Sequence, residues 1–176
     1  MNIFELIISL FVMIPNKEVN VVENVNLNYY NGSWYQYYTN YYSLFFNDIS
    51  NCSKYNFNVL NDTNYLLEES YLDNQLITKL NSQGILENSI LENDYGLIFN
   101  IESYIIKNGP VINNEYRYSI LTDDIGFSLV LLVRDIKEFE SNYQDEVNEF
   151  LNEFFLKVPD DLKFIFNSIK INHLGC

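Results

Sequence analysis

Groups that ionise, ligate or attack are scarce in this sequence, and few fall in workable patterns. The single histidine, His173, lies near the C-terminus and reads as an exposed tail residue, not as a base or ligand. There is no glycine-rich phosphate loop and no Gly-x-Ser-x-Gly elbow. Asp123-Asp124 reads as a turn and Asp160-Asp161 as a helix start, whereas paired catalytic carboxylates must converge across a cleft. Glu68-Glu69 has two readings: a solvated strand edge, or an acidic pair that faces a cavity and holds an amine. Cys52 and Cys176 lie too far apart for a Cys-x-x-Cys redox or zinc motif. Their even number suggests one disulfide in an oxidising compartment, with two unrelated buried thiols as the alternative. Hydrolytic, redox and metal-dependent catalysis thus lack their usual parts. The expectation is a protein that is not an enzyme and uses no metal or cofactor.

The net charge of −14 arises without any basic run. Nucleic acid and anionic membrane surfaces both require clustered Lys and Arg, so neither is an expected partner. The acidity serves solubility or attracts a cationic ligand. Hydrophobic residues make up 48% of the 176 residues and aromatic residues 16%, mostly the 15 Tyr and 13 Phe. That bias favours strands, and the many Asn between apolar runs suit turns. The apolar run at 6–14 is too short to span a bilayer and has the length of a signal-peptide core. The preceding residues lack Lys and Arg, and no small-residue cleavage site stands out. Residues 1–20 are read as a signal peptide in preference to a buried first helix, leaving 21–176 as one domain of a secreted protein. Three sequons, at Asn31, Asn51 and Asn61, agree weakly with secretion.

Period-two patterning follows the leader. Residues 34–40 are aromatic-rich, and 53–60 alternate, with Tyr55, Phe57 and Val59 on one side. A turn at 61–64 leads to an extended segment at 65–72. Weaker strands are expected at 75–80 and 84–90 around a turn at Ser82-Gln83-Gly84. Further strands are expected at 95–106, as one or two, and at 115–121 and 127–133, with a break at Asn108-Gly109-Pro110 and a turn at 122–124. Residues 141–155 carry one apolar stripe, Val147, Phe150, Leu151, Phe154 and Phe155, on a helix capped by Ser141 with Gln144 three residues on. Pro159 stops it, and a short segment at 165–171 leads to Cys176. Many short strands and one late helix imply an antiparallel barrel or sandwich with a helix outside. No internal repeat or linker marks a second domain.

These residues resemble a lipocalin. That family opens its first strand with Gly-x-Trp, often followed by Tyr and preceded by Asn or Asp, and Asn28-Tyr29-Tyr30-Asn31-Gly32-Ser33-Trp34-Tyr35 is similar. Thr122-Asp123 resembles the family's turn between late strands. Arg134, after Leu131-Leu132-Val133, resembles the Arg that ends its last strand, and an outer helix follows. Cys52 and Cys176 resemble a disulfide pairing of the apolipoprotein D, bilin-binding and bacterial lipocalin branch. The resemblance runs from about Val25 to the end. It implies an all-β fold: an eight-stranded antiparallel up-and-down barrel with one C-terminal α-helix packed outside. One spacing departs from the pattern. Only one strand fits between Asp124 and Arg134, so either Thr122-Asp123 is the following turn or a hairpin has been lost.

An eight-stranded barrel can hold one small ligand if one end is sealed. Trp34 with Arg134 stacked on its indole is the expected plug, with Gly32, Thr122 and Asp123 as further structural residues. Alternation from Trp34 turns Gln36 and Tyr38 inward. Tyr55, Phe57 and Val59 share an apolar side; Phe57 stands where relatives carry an aromatic that touches ligand. Ser128, Val130 and Leu132 are expected inward, and Leu129, Leu131 and Val133 outward beneath the helix. The expected ligand-binding residues are Gln36, Tyr38, Tyr55, Phe57, Val59, Tyr118, Val130 and Leu132. The expected function is carriage or sequestration of a small hydrophobic molecule such as a lipid, sterol, retinoid or bilin. Two alternatives stand: capture of cationic biogenic amines, which needs acidic residues such as Glu68 and Glu69 in the cup, or an interaction protein with a filled barrel.

Overall fold

The computed structural model describes residues 19–40, 51–73, 76–96, 100–156, 163–174 and 176. The apolar leader core, Asp160-Asp161 and Pro159 lie outside them. The strands are β1 (Gly32–Asn40), β2 (Lys54–Val59), β3 (Asn64–Asp73), β4 (Leu76–Glu87), β5 (Ile90–Asp94), β6 (Ile101–Asn108), β7 (Val111–Ile112), β8 (Glu115–Tyr116), β9 (Tyr118–Thr122), β10 (Val130–Val133) and β11 (Ser168–Lys170). Each of β1 to β5 pairs antiparallel with the next, β6 pairs with β9, and β9 with β10. Then β10 returns to β1, Tyr35 facing Val133 and Gln36 facing Leu132, and the barrel closes with eight strands. Closure removes the exposed edges that an open sheet would leave. The short β7–β8 hairpin projects between β6 and β9, and β11 extends the upper part of β1.

The asparagine-rich turns do what their composition implies. Asn88-Ser89 and Asn113-Asn114 all take positive φ, the left-handed conformation that Asn tolerates better than most residues and that two-residue hairpins require. The Ser82-Gln83-Gly84 turn is not found. These residues lie inside β4, where Ser82 and Gly84 face in and Gln83 is exposed. Glycine is needed there for space: a Cβ on Gly84 would lie 2.2 Å from the Tyr65 ring of the neighbouring strand.

Two apolar layers line the wall. Inside are Trp34, Phe57, Tyr65, Leu67, Leu86, Leu91, Ile105, Tyr116, Leu121 and Leu132. Outside, Tyr37, Ile106, Ile120, Leu129, Leu131 and Val133 pack with Phe139, Val147 and Leu151. Strand β10 is apolar on both faces because both are covered. The outer helix differs from the expected one. It comprises α1 (Ile136–Asn142) and α2 (Gln144–Phe154), joined at Tyr143. The N-cap is Asp135, whose carboxylate accepts from Glu138 N at 2.8 Å, and Ser141 lies within α1, donating to the Lys137 carbonyl. Asp is as good a cap as Ser. The chain therefore turns helical directly after Arg134, six residues before the expected cap. Farther on, α3 (Lys163–Phe166) precedes β11.

Cys52 and Cys176 form a disulfide with Cα atoms 5.6 Å apart, tying the start of β2 to the C-terminus across 124 residues. A cross-link over so long a loop strongly restricts the unfolded chain. The Cys52→Ala/Cys176→Ala variant should lose about 2–5 kcal/mol of stability, measured as a lower denaturant midpoint, with a larger m-value because the unfolded chain without the cross-link exposes more surface.

Candidate ligand site

The closed end of the barrel is built from the segment before β1. Residues 27–30 form a 3-10 turn whose cap, Asn26, accepts from Asn28 N through its side chain. Leu27 and Tyr30 are buried beneath the barrel. Trp34 is fully buried, and its Nε1 donates to the Tyr30 carbonyl at 2.8 Å. The Arg134 guanidinium carbon stands 3.8 Å from the centre of the Trp34 ring. Its nitrogens donate to the carbonyls of Ser33, Tyr29 and Asn31 at 2.9–3.0 Å. Burial lowers the Arg134 pKa to about 10, so the side chain remains a cation at neutral pH. Gly32 has φ +97°, and a Cβ there would meet Arg134 Nη1 at 3.3 Å. The Gly-x-Trp pattern thus follows from backbone and space together. The expected stacking of Arg134 on Trp34 is present.

Of the expected site residues, Phe57, Leu132, Tyr55, Val59 and Val130 belong to the interior layer. Phe57 is wedged between Tyr30 and Tyr65, with ring centres 5.6 and 5.3 Å away. Gln36 is buried and accepts from Ser53 Oγ at 2.7 Å. Two expectations fail. Tyr38 lies in the outer layer, with Gln144 Nε2 of α2 at 3.4 Å from its hydroxyl. The register of β1 against β10 slips between Gln36 and Tyr38, and such a bulge reverses the alternation. Tyr118 also faces out, packing on Phe139 and donating to Glu146. A bend at Arg117 separates β8 from β9, so Tyr116 points in while Tyr118 and Ile120 point out.

Thr122 and Asp123 lie at the turn between the seventh and eighth barrel strands, so the missing-hairpin alternative falls away. The Asp123 carboxylate accepts from Phe127 N and Ser128 N at 2.7 and 3.1 Å and closes that turn. His173 is half-buried, not an exposed tail residue; its Nε2 donates to the Gln36 carbonyl at 2.8 Å, and its ring meets Tyr35 edge-on.

The acidic pair divides. Glu68 faces outward and bridges to Lys79 at 3.0 Å. Glu69 faces inward, on the parity of Tyr65 and Leu67, and is 9% exposed. Its carboxylate accepts from the hydroxyls of Tyr95 and Tyr55. Burial raises the Glu69 pKa above the ordinary carboxylate value, and the two hydroxyls partly oppose this. Burial, then Glu69 itself, pushes the Tyr95 and Tyr55 hydroxyls up, which keeps both as donors at neutral pH. Beside them, Tyr65 donates to Asn93 Oδ1 at 2.9 Å, and Ser82 lies 3.4 Å from the same oxygen. No cation is paired with Glu69 among the described residues.

Tyr95, Tyr65, Asn93 and Ser82 were not among the expected ligand residues. The alternation Tyr65-x-Leu67-x-Glu69 carries the signal that Glu69 faces in. Nothing in the sequence brings Tyr95 to it, because that contact depends on the curvature of the barrel across β3, β4 and β5. Gly84→Ala should displace the Tyr65 ring from Phe57 and Asn93 and cost about 1–3 kcal/mol through overpacking, seen as a lower melting temperature. No group of three or more His, Cys, Asp or Glu among the described residues is placed to hold a metal ion.

No family model and no curated protein matches the sequence. Solved structures do match in fold. A major allergen of cockroaches, Per a 4, is similar at TM-score 0.55 and 13% identity over 93% of this chain and 96% of the other. The serotonin complex of AM182 is similar at TM-score 0.54 and 12% identity over 85% and 88%. Together with the eight-stranded barrel, the outer helices and the Trp34–Arg134 plug, these likenesses make the fold lipocalin-like.

Proposed function

We propose that the protein binds a small molecule inside the barrel without altering it, and that the ligand is an organic amine with an aromatic or apolar body. Glu69 carries this reading. A carboxylate buried in an apolar barrel is costly unless a cation meets it, and two tyrosine hydroxyls hold this one in place. The faces of Tyr55, Tyr65 and Tyr95 around it suit an ammonium group by cation–π attraction. The net charge of −14 draws cations toward the molecule. The serotonin complex of a protein with a similar fold supports the same reading. A carrier of neutral lipid, sterol, retinoid or bilin would be served by the apolar lining of Phe57, Val130 and Leu132 and would have no use for Glu69.

Secretion belongs to the proposal. The Cys52–Cys176 disulfide supports an oxidising compartment, and no helix among the described residues is long and apolar enough to cross a membrane. Titration calorimetry with serotonin, tyramine and the neutral alcohol tryptophol tests the ligand class. The amines should bind at least about tenfold more tightly than tryptophol, the worth of one charge-assisted hydrogen bond. Equal affinities would favour the apolar carrier, and no binding by any of the three would oppose a ligand site for such molecules.

A further inference from the structure

We propose that Asn61 is an N-glycosylation site, the one of the three sequons whose folded geometry is built to carry a glycan. In a sequon the hydroxyl two residues after the Asn works with the carboxamide that becomes glycosylated. The structure shows what each of the three hydroxyls does. Ser33 Oγ donates to Asn56 Oδ1 at 3.2 Å, while the Asn31 carboxamide oxygen accepts from Val59 N at 3.0 Å. Ser53 Oγ is buried and donates to Gln36 Oε1, and Asn51 adjoins the disulfide, its carbonyl accepting from Leu72 N. Only at the third sequon does the hydroxyl meet its own Asn: Thr63 Oγ1 donates to Asn61 Oδ1 at 3.2 Å.

The same oxygen accepts from Thr63 N at 3.0 Å and Asn64 N at 2.9 Å. Asn61, Asp62 and Thr63 are all exposed at the β2–β3 turn. Every one of these bonds spans three residues or fewer, so the turn can form in the emerging chain before the barrel closes. By contrast, Asn31 and Asn51 sit where the plug and the disulfide are assembled.

A second observation agrees. Leu60 is 57% exposed, Leu66 40% and Ile85 39%, and these three line a cleft of about 220 Å³ beside the turn. The first sugars of a glycan on Asn61 would stand next to this apolar patch and shield it from other molecules. In the transfer, Asn61 Nδ2 bonds to the anomeric carbon of an oligosaccharide carried on a lipid pyrophosphate. The bond from that carbon to the pyrophosphate oxygen breaks, the electron pair leaves with the pyrophosphate, and Nδ2 gives up one proton to a base of the transferase.

The test is expression of the full chain with its own N-terminus in a eukaryotic cell. Peptide-N-glycosidase treatment in heavy-oxygen water and peptide mass spectrometry then follow. Asn61 should be recovered as labelled Asp in most molecules, with Asn31 and Asn51 labelled less. Labelling at Asn61 should fall to background in Thr63→Ala, which leaves the acceptor in place, and in Asn61→Gln. An unlabelled Asn61 in the wild type overturns the proposal, whether the site is passed over or the chain never enters the secretory route. So does labelling that survives in Thr63→Ala.

Discussion

Glu69→Gln should weaken binding of a protonated aromatic amine by roughly 10–100-fold, the worth of one hydrogen bond to a charged group, and leave the unliganded barrel at least as stable as the wild type. The two effects have one origin. Glu69 lies among Tyr55, Tyr65 and Tyr95 with no cation paired to it among the described residues, and burial raises its pKa. A carboxyl whose pKa rises on folding stabilises the fold when protonated, below its unfolded value. That contribution is lost as pH rises through the folded value. At neutral pH the ionised group therefore costs stability, and glutamine removes the charge while keeping an oxygen for one tyrosine.

Amine binding has the opposite dependence. It requires ionised Glu69, so affinity should fall as pH drops through the raised pKa, beginning above the ordinary carboxylate range. A bound cation favours the ionised form, so binding near that pH should release a proton and give an enthalpy that depends on the buffer. Glu68→Gln is the control. It removes only an exposed pair with Lys79 and should change neither stability nor affinity measurably.

Trp34→Ala should cost about 3–5 kcal/mol, the range for deletion of a fully buried aromatic, against a total stability of about 5–15 kcal/mol for a domain. The loss should lie toward the upper end of that range because Trp34 works with other groups. Its Nε1 satisfies the Tyr30 carbonyl, its face carries the Arg134 guanidinium, and Arg134 in turn satisfies the carbonyls of Tyr29 and Asn31 in the segment that closes the barrel and of Ser33 at the start of β1. Without the indole, the cation loses its stacking partner and the 3-10 turn loses its anchor. Denaturant unfolding should show the shift, and hydrogen exchange should show residues 27–31 losing protection first. Arg134→Lys should recover only part of the wild-type stability, because an ammonium cannot match the planar fork to several carbonyls while stacked.

The features that the sequence reveals most clearly are those set by local constraint. Gly32 and Trp34 are recognisable because a positive φ and a close guanidinium admit only glycine before the plug. The facing of β10 is readable because Leu129, Leu131 and Val133 are covered outside while Val130 and Leu132 are covered inside. Alternation misleads where the backbone breaks it. The slip between Gln36 and Tyr38 and the bend at Arg117 each reverse every later side chain, and both are set by pairing with other strands. Gly84 resembles a turn glycine, yet it makes room for Tyr65, a residue distant in sequence. The candidate site was legible in half: Glu69 shares the parity of Tyr65 and Leu67, but its meeting with Tyr95 follows from barrel curvature that no sequence period encodes.

A crystal structure of the protein with serotonin tests the ligand site most directly. The ammonium nitrogen should lie about 2.7–2.9 Å from the Glu69 carboxylate, the distance of a charge-assisted hydrogen bond, with the indole inside the barrel among Tyr55, Tyr65 and Tyr95. Serotonin bound only on the outer surface, or inside with its ammonium away from Glu69, would contradict the account.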